Sequence, residues 1–226
     1  MLSAEKRREL REASQGKILS ESNYIASLLI VVLYGLIVNA ITCAIVPYEW
    51  VFANYTVIVI GYFVSCLIGI LMSSKSANPI ISFIGYNFVV GPVGIILAGA
   101  VGAYAAIDPS IIKDAFFMTA VITATMGILG YIKPQWFSGL GTTLLTVLVA
   151  LIVCEIVLLI FGINQYITTW IGVVLFTLYI GYDIQRAMRY PHTLDNAVDC
   201  ALDLYLDIIN LFLKLMKLFA RSKSRD

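Results

Sequence analysis

The chain has 226 residues, of which 60% are hydrophobic and only 13% are charged. Soluble domains carry about 25% charged residues, so this composition predicts an integral membrane protein without a sizeable soluble domain. The formal net charge of +1 gives no indication of nucleic-acid binding, and the single histidine excludes a metal site built on several histidines. The four cysteines form no CxxC pair and are interpreted as small packing residues.

Residues 1–23 form a charged N-terminal arm, with glutamates and arginines at helical spacing. This pattern predicts a short solvated helix. The apolar run that follows is too long for a signal peptide, and no small-residue cleavage site ends it.

Seven apolar runs of spanning length follow the arm and predict an all-α, seven-helix transmembrane domain over 24–219, with a basic tail at 220–226. Five of the six prolines fall between runs, where a missing N–H is harmless. Pro92 lies inside the third run, so a kink or break is expected there. The runs cover about 24–46, 51–72, 80–106, 111–131, 140–161, 165–186 and 199–219.

The last run carries its polar side chains three or four residues apart, which places them on one stripe of a helix. Such a column must face protein or water, because an ionised carboxylate in lipid costs several kcal/mol or more. The alternative is an amphipathic helix that lies flat on the membrane surface. The polar residues of the stripe are Asp199, Asp203, Asp207, Asn210, Lys214 and Lys217.

Asp183 and Asp207 are the candidate functional pair. Asp183 lies near the end of the sixth run and Asp207 about two turns into the seventh, and the short loop between these runs predicts antiparallel neighbours. Two carboxyl groups in a dry site cannot both ionise cheaply, so such a pair tends to share a proton. Protonated, the pair would form a clasp between two helices; doubly ionised, it would repel itself or capture a cation, with calcium the natural candidate. The alternative is that Asp183 is a solvated helix-end residue paired with Arg186 or Arg189.

Three further polar residues could line a route for the ion. Asp203 and Asn210 lie on the same stripe as Asp207 and could add oxygen ligands. Glu155 lies mid-way through the fifth run with no basic partner nearby in the sequence, so it is expected to be neutral and to face the same cavity or another helix.

Lysine and arginine predict the orientation. Five of them lie in the N-terminal arm, and Lys75, Lys133, Arg186 and Arg189 lie in loops on the same side, whereas only Lys113 lies opposite. The N-terminus is therefore expected to be cytoplasmic. The basic tail conflicts with seven full crossings, and a re-entrant seventh helix would resolve the conflict.

The end of the sixth run, Tyr182-Asp183-Ile184-Gln185, and the segment ALDLYLDIINLF at 201–212 together resemble the signature of the Bax inhibitor family. The segment PQWFSGLG at 134–141 also resembles this family's connection between the fourth and fifth helices. The resemblance covers the whole seven-run pattern and is specific over about 178–219. It indicates a prokaryotic-type member.

The resemblance implies a bundle with the C-terminal helix at its centre, an Asp183–Asp207 pH sensor, and a pH-dependent calcium leak that serves calcium homeostasis and stress protection. The family also has a basic residue near the end of the second helix that can engage the pair. Lys75 is the candidate here, although a lysine cannot make the two-pronged contact of an arginine. Asp203 departs from the family, which usually has a small or hydroxyl residue at this position.

Two functions are open at this point, and neither is enzymatic. The first is a pH-sensitive leak for calcium or other cations, in which Asp183 and Asp207 bind calcium transiently, Arg186 or Lys75 supplies a counter-charge, and no cofactor is needed. The second is a non-conducting regulator that binds another membrane protein, such as a protease. An intramembrane aspartyl protease is disfavoured, because Asp207 lacks the Gly-x-Gly-Asp context of those enzymes. The expected location is the bacterial plasma membrane, as a multi-pass protein.

Overall fold

A computed structural model describes residues 17–223, which form eight α-helices and one short 3₁₀-helix, Pro134–Trp136. Most of the predicted charged arm and the last three residues of the basic tail lie outside the described residues. The helices are α1 (Glu21–Ile45), α2 (Tyr48–Ala53), α3 (Tyr55–Lys75), α4 (Pro79–Ile107), α5 (Ser110–Ile132), α6 (Gly141–Ile160), α7 (Tyr166–Ala187) and α8 (Leu194–Lys223).

Six helices, α1 and α3 to α7, are long and apolar enough to cross a membrane. The prediction of an all-α polytopic membrane protein is therefore confirmed. The second apolar run begins later than expected, at Tyr55, because the short helix α2 occupies its first residues. The seventh run is longer than expected, because α8 begins at Leu194 and continues to Lys223.

The chain divides into two compact units. The first holds the described residues through Ala103 together with Ala187–Tyr205, and the second holds Tyr104–Arg186 together with the described residues from Leu206 onward. Helix α8 therefore contributes its first three turns to one unit and the rest to the other.

In the first unit, α4 continues through Pro92 as a single helix, so the predicted break is wrong. Proline has no N–H, which leaves the carbonyl group four residues earlier without its helical donor. That carbonyl belongs to Phe88, and the Ser65 hydroxyl of α3 donates to it at 2.5 Å. A side chain of the neighbouring helix thus replaces the missing backbone hydrogen bond.

The start of α8 is anchored within the first unit. Thr193 caps it, because its hydroxyl accepts a hydrogen bond from the backbone N–H of Asn196 at 3.2 Å. His192, just before the helix, stacks on Tyr24 with ring centroids 4.6 Å apart. Further along the helix, the Asn39 amide of α1 donates to the Tyr205 hydroxyl at 2.5 Å.

Helix α8 is buried around its whole circumference. Every residue from Asp195 to Leu211 is buried except Asp203, Leu206 and Asn210, which are half-buried. Successive residues of a helix point about 100° apart, so burial at consecutive positions requires protein on all sides. The central position predicted for α8 is thus confirmed, and the surface-lying alternative is wrong.

The C-terminal half of α8 runs the length of the second unit. Near its end, Lys223 pairs with Asp108 in the α4–α5 loop at 3.4 Å, and Arg221 donates to Asn164 in the α6–α7 loop. Both loops lie at the same end of the unit as the start of α7, so α8 is antiparallel to α7. Among the described residues, α8 is not one of the six helices apolar enough to cross a membrane, and the re-entrant alternative for the seventh helix stays a prediction.

Candidate functional site

The two predicted aspartates both lie in the second unit and are both buried. Asp183 lies one turn before the end of α7 and is 6% exposed. Asp207 lies at the start of the part of α8 that belongs to the second unit, and it is 8% exposed. A buried carboxyl group is retained only where polar or charged neighbours compensate for the lost water. Their surroundings therefore define the candidate site.

Asp183 has a cationic partner on its own helix. An Arg186 guanidinium nitrogen lies 3.3 Å from a carboxyl oxygen of Asp183, one turn further along α7. The same guanidinium lies over the Tyr182 ring, 5.6 Å from its centroid. The alternative interpretation of Asp183 was right about an arginine partner and wrong about solvation.

Tyr179 lies close to Asp183 on the surface of α7. It precedes Asp183 by four residues, so both side chains project from the same face of the helix. The Tyr179 ring also packs against an apolar cluster formed by Leu144 and Leu151 of α6 and Leu175 of α7. This face of α7 is thus packed against α6.

Close helix packing excludes water from this end of α7. A Cβ atom at Gly130 of α5 would lie 3.2 Å from Gly181 Cα and closer still to the Gly181 carbonyl oxygen, so the two backbones are in direct contact. The Phe137 ring, from the α5–α6 connection, fills the space beside Gly181. Small residues at such crossings allow backbones to approach closely. This packing fixes α7 against α5 two residues before Asp183.

The other predicted route residues are placed along α8. Asp203 is half-buried, one turn before Asp207. Asn210 is also half-buried, and its amide donates to the carbonyl of Leu206 in the preceding turn at 2.8 Å. Both therefore remain candidates for the route. Lys75, a predicted counter-charge, is exposed at the last residue of α3.

Glu155 has a basic partner on another helix. The Lys214 ammonium of α8 forms an ion pair with the Glu155 carboxylate of α6. The two residues are 59 positions apart in the chain, so local sequence inspection could not pair them. Glu155 thus faces another helix, as expected, and the contact it makes there is an ion pair with a lysine of α8.

Two further carboxylates at the start of α8, in the first unit, were not assigned a site. The Ser82 hydroxyl of α4 donates to Asp195 at 2.7 Å, and the Ser73 hydroxyl of α3 donates to Asp199. Asp199, a residue of the predicted polar stripe, is only 7% exposed. Both serines flank the α3–α4 turn, so these contacts hold that turn against α8.

Across residues 17–223, no three histidine, cysteine, aspartate or glutamate side chains are grouped closely enough to hold a metal ion. An ion at the Asp183–Asp207 pair would need additional oxygen ligands from water, amides or carbonyl groups.

Tyr179 is a polar neighbour of Asp183 on α7 that the sequence analysis did not single out. Its signal is present in the sequence as Tyr179-Ile-Gly-Tyr182-Asp183, in which a tyrosine precedes the aspartate at i, i+4 spacing. Lys214 was noted only as a stripe residue. The signal in the sequence was the presence of opposite charges, Glu155 within α6 and Lys214 within α8, in two largely apolar segments.

The comparison with protein families identifies the chain. A family model described as "Inhibitor of apoptosis-promoting Bax1" matches residues 21–225, which is nearly the whole sequence. The chain belongs to the Bax inhibitor family. The resemblance seen around Asp183 and Asp207 is therefore confirmed at the level of the family.

Individual relatives are distant. An uncharacterized protein of Helicobacter pylori (strain J99) is 26% identical over 186 residues, covering 81% of this chain and 76% of the relative. An uncharacterized membrane protein of Streptococcus pyogenes serotype M3 is 30% identical over 137 residues, or 57% of this chain and 58% of the relative. Bax inhibitor 1 of Saccharomyces cerevisiae is 47% identical over 55 residues, which is 24% of this chain and 18% of the yeast protein.

Proposed function

We propose that this Bax inhibitor family protein is a pH-sensitive cation leak, with calcium the preferred ion and Asp183 and Asp207 the gate. The observation that carries the proposal is the burial of two carboxyl groups, Asp183 and Asp207, in a chain with six candidate membrane-spanning helices among its described residues. Ionisable groups at such positions are costly, and in membrane proteins they mark ion or proton pathways.

The charges of the site give the gate its pH dependence. With both carboxyl groups ionised, the site attracts a cation, as the guanidinium of Arg186 beside Asp183 illustrates. With one proton bound, the negative charge is smaller, and the two carboxyl groups can share that proton in a hydrogen bond. Acidification therefore exchanges a cation for a proton at the same place, with calcium bound only transiently.

The route follows α8 on both sides of the gate. Asp203 lies one turn before Asp207 and Asn210 about one turn after it, while Glu155 of α6 lies further along. These side chains offer carboxylate and amide oxygens, the ligands that a hard cation such as calcium takes.

We propose a location in the bacterial plasma membrane with the N-terminus in the cytoplasm, where a controlled leak would serve calcium homeostasis and stress protection. The loop charges support this orientation. The basic tail opposes it, but Arg221 and Lys223 already have partners in the loops at their end of the second unit. No enzymatic role and no cofactor is part of the proposal.

The test is calcium flux from liposomes that contain the purified protein and a calcium-sensitive dye. We expect flux above that of protein-free liposomes, and we expect Asp207→Asn and Asp183→Asn to change its pH dependence between about pH 5 and 8, where coupled buried carboxyl groups titrate. Asp114→Asn is the matched control, because Asp114 is exposed on α5 and should leave the profile unchanged.

A non-conducting regulator of another membrane protein would give a different result. Wild-type liposomes would then release calcium no faster than protein-free ones at any pH, and a membrane partner such as a protease would copurify with the chain. These two results together would contradict the proposed leak and support the regulator.

A further inference from the structure

We propose that Lys214 is a tethered cation plug: its ammonium group occupies, at Glu155, the place that a permeating cation would take. This inference rests on the proposed leak and names a second barrier on its route, separate from the aspartate pair. In this proposal, Lys214 and Glu155 determine how fast a cation passes along the C-terminal half of α8.

The position of Lys214 places it on the proposed route. It follows Asp207 by seven residues, which is two turns or about 10 Å along the same helix, and on nearly the same face. A cation that passes Asp207 and Asn210 along this face of α8 therefore meets Lys214 next. The charge of the Lys214 ammonium repels any cation. A cation can therefore move further along α8 only where a negatively charged partner neutralises Lys214.

The partner is the carboxylate of Glu155 on α6, and both side chains are largely removed from solvent. Lys214 is 15% exposed and Glu155 is 24% exposed, so their mutual attraction is weakly screened. Gly172 of α7 makes room for the lysine, because a Cβ atom there would lie 2.8 Å from Lys214 Cε. The aliphatic part of Lys214 is thus seated against a helix backbone, and only its ammonium reaches the route.

The neighbouring basic residues of α8 are held differently. Lys217 donates to the neutral amide of Gln165, and Arg221 donates to Asn164 and lies over the Tyr166 ring. Lys223 pairs with an acid, Asp108, but at a loop beyond the spans. Of the four basic residues Lys214, Lys217, Arg221 and Lys223, Lys214 is the one whose contact described here is with a carboxylate of a candidate membrane-spanning helix.

The chemistry of the site follows from competition for one carboxylate. Glu155 attracts either the tethered ammonium or a free cation, and a divalent ion is the stronger competitor for oxygen ligands. Without the lysine charge, Glu155 becomes an open cation site. Without Glu155, Lys214 is an unpaired positive charge that repels cations from the route.

This competition predicts opposite effects for the two halves of the pair. Lys214→Gln keeps a side chain that can donate to Glu155 but removes the charge, and we expect it to raise calcium flux at a fixed pH by roughly tenfold. Glu155→Gln leaves the lysine charge in place, and we expect a decrease of similar size. A tenfold change corresponds to about 1.4 kcal/mol, which is less than the interaction of a full charge with a divalent cation about 10 Å away in a protein interior.

The matched controls are Lys223→Gln and Asp108→Asn, which change the same residue types in an ion pair outside the spans. Neither should alter flux more than about twofold, since exposed pairs are screened by water and salt. If the ion pair is only a structural anchor, calcium flux through Lys214→Gln should resemble that of wild type, because the hydrogen bond is kept. Any larger effects of the two single variants on flux should then have the same sign.

The experiment compares reconstituted wild type, Lys214→Gln, Glu155→Gln and the two controls in the dye-loaded liposomes. Flux that rises for Lys214→Gln and falls for Glu155→Gln supports the plug. A pH-dependent wild-type leak that neither variant alters leaves the proposed function intact and overturns the plug. Silent wild-type liposomes with a conducting Lys214→Gln protein support the plug and overturn the resting leak, whereas silence of every protein overturns both.

Discussion

The contact between Ser65 and the backbone next to Pro92 gives a prediction whose size can be derived from the structure. Ser65→Ala removes the hydroxyl that donates to the Phe88 carbonyl at 2.5 Å. That carbonyl has no helical donor, because Pro92 lacks an N–H four residues later. A typical net hydrogen bond contributes 0.5–1.5 kcal/mol, and side-chain bonds within membrane bundles average about 0.6 kcal/mol. We therefore expect Ser65→Ala to lower the free energy of unfolding by about 1 kcal/mol.

A double-mutant cycle with Pro92→Ala tests the reason for this loss. Alanine restores the backbone N–H, so the Phe88 carbonyl regains its own donor and Ser65→Ala should then cost close to nothing. The expected coupling is about 1 kcal/mol, measured by denaturant unfolding in mixed micelles and followed by circular dichroism. Thr125→Val is the control, because the Val121 carbonyl that its hydroxyl reaches lies in an uninterrupted part of α5. An equal cost of Ser65→Ala in both backgrounds would refute the reasoning.

Two further predictions concern stability in the second unit. Gly130→Val should lower the free energy of unfolding by roughly 1–3 kcal/mol, because its side chain would collide with the Gly181 backbone; an unchanged melting temperature would contradict the close approach of α5 and α7. In the α4–α5 loop, the backbone N–H of Ser110, with a further contribution from Lys223, holds the pKa of Asp108 below its usual value. The stabilisation of the folded state by ionised Asp108 is fully present above the unfolded-state pKa of about 3.9. This stabilisation is lost as the pH falls through the lower folded-state pKa. Asp108→Asn should therefore lower the melting temperature at neutral pH, and this difference should disappear in acid; a difference that grows on acidification would contradict the assignment.

The membrane spans could be predicted from the sequence because their signal is local. Twenty or so consecutive apolar residues require a spanning helix whatever the rest of the chain does, and prolines mark the connections. The short helix α2 was hidden because its last residues, 51–53, are apolar and only Asn54 separates them from the span that begins at Tyr55. The break expected at Pro92 was wrong for a different reason: the compensating hydroxyl of Ser65 comes from another helix.

The candidate site was predictable only in part. Asp183 and Asp207 could be singled out because a carboxylate in an apolar run is costly and therefore informative. Their partners depend on which helices are neighbours. Glu155 was expected to be neutral because Lys214 is remote in the sequence, and Asp199 could not be paired because its serine partner lies on α3. Pairings of this kind follow from the packing of the bundle.

The most direct test of the central claim is the rate of calcium release from reconstituted liposomes as a function of pH, measured for wild type beside Asp207→Asn. The proposed gate predicts a wild-type rate that changes steeply between about pH 5 and 8 and a flat profile for the variant, which can no longer exchange a proton for a cation at that position. Two superimposable profiles, or a wild-type rate equal to that of protein-free liposomes throughout, would contradict it.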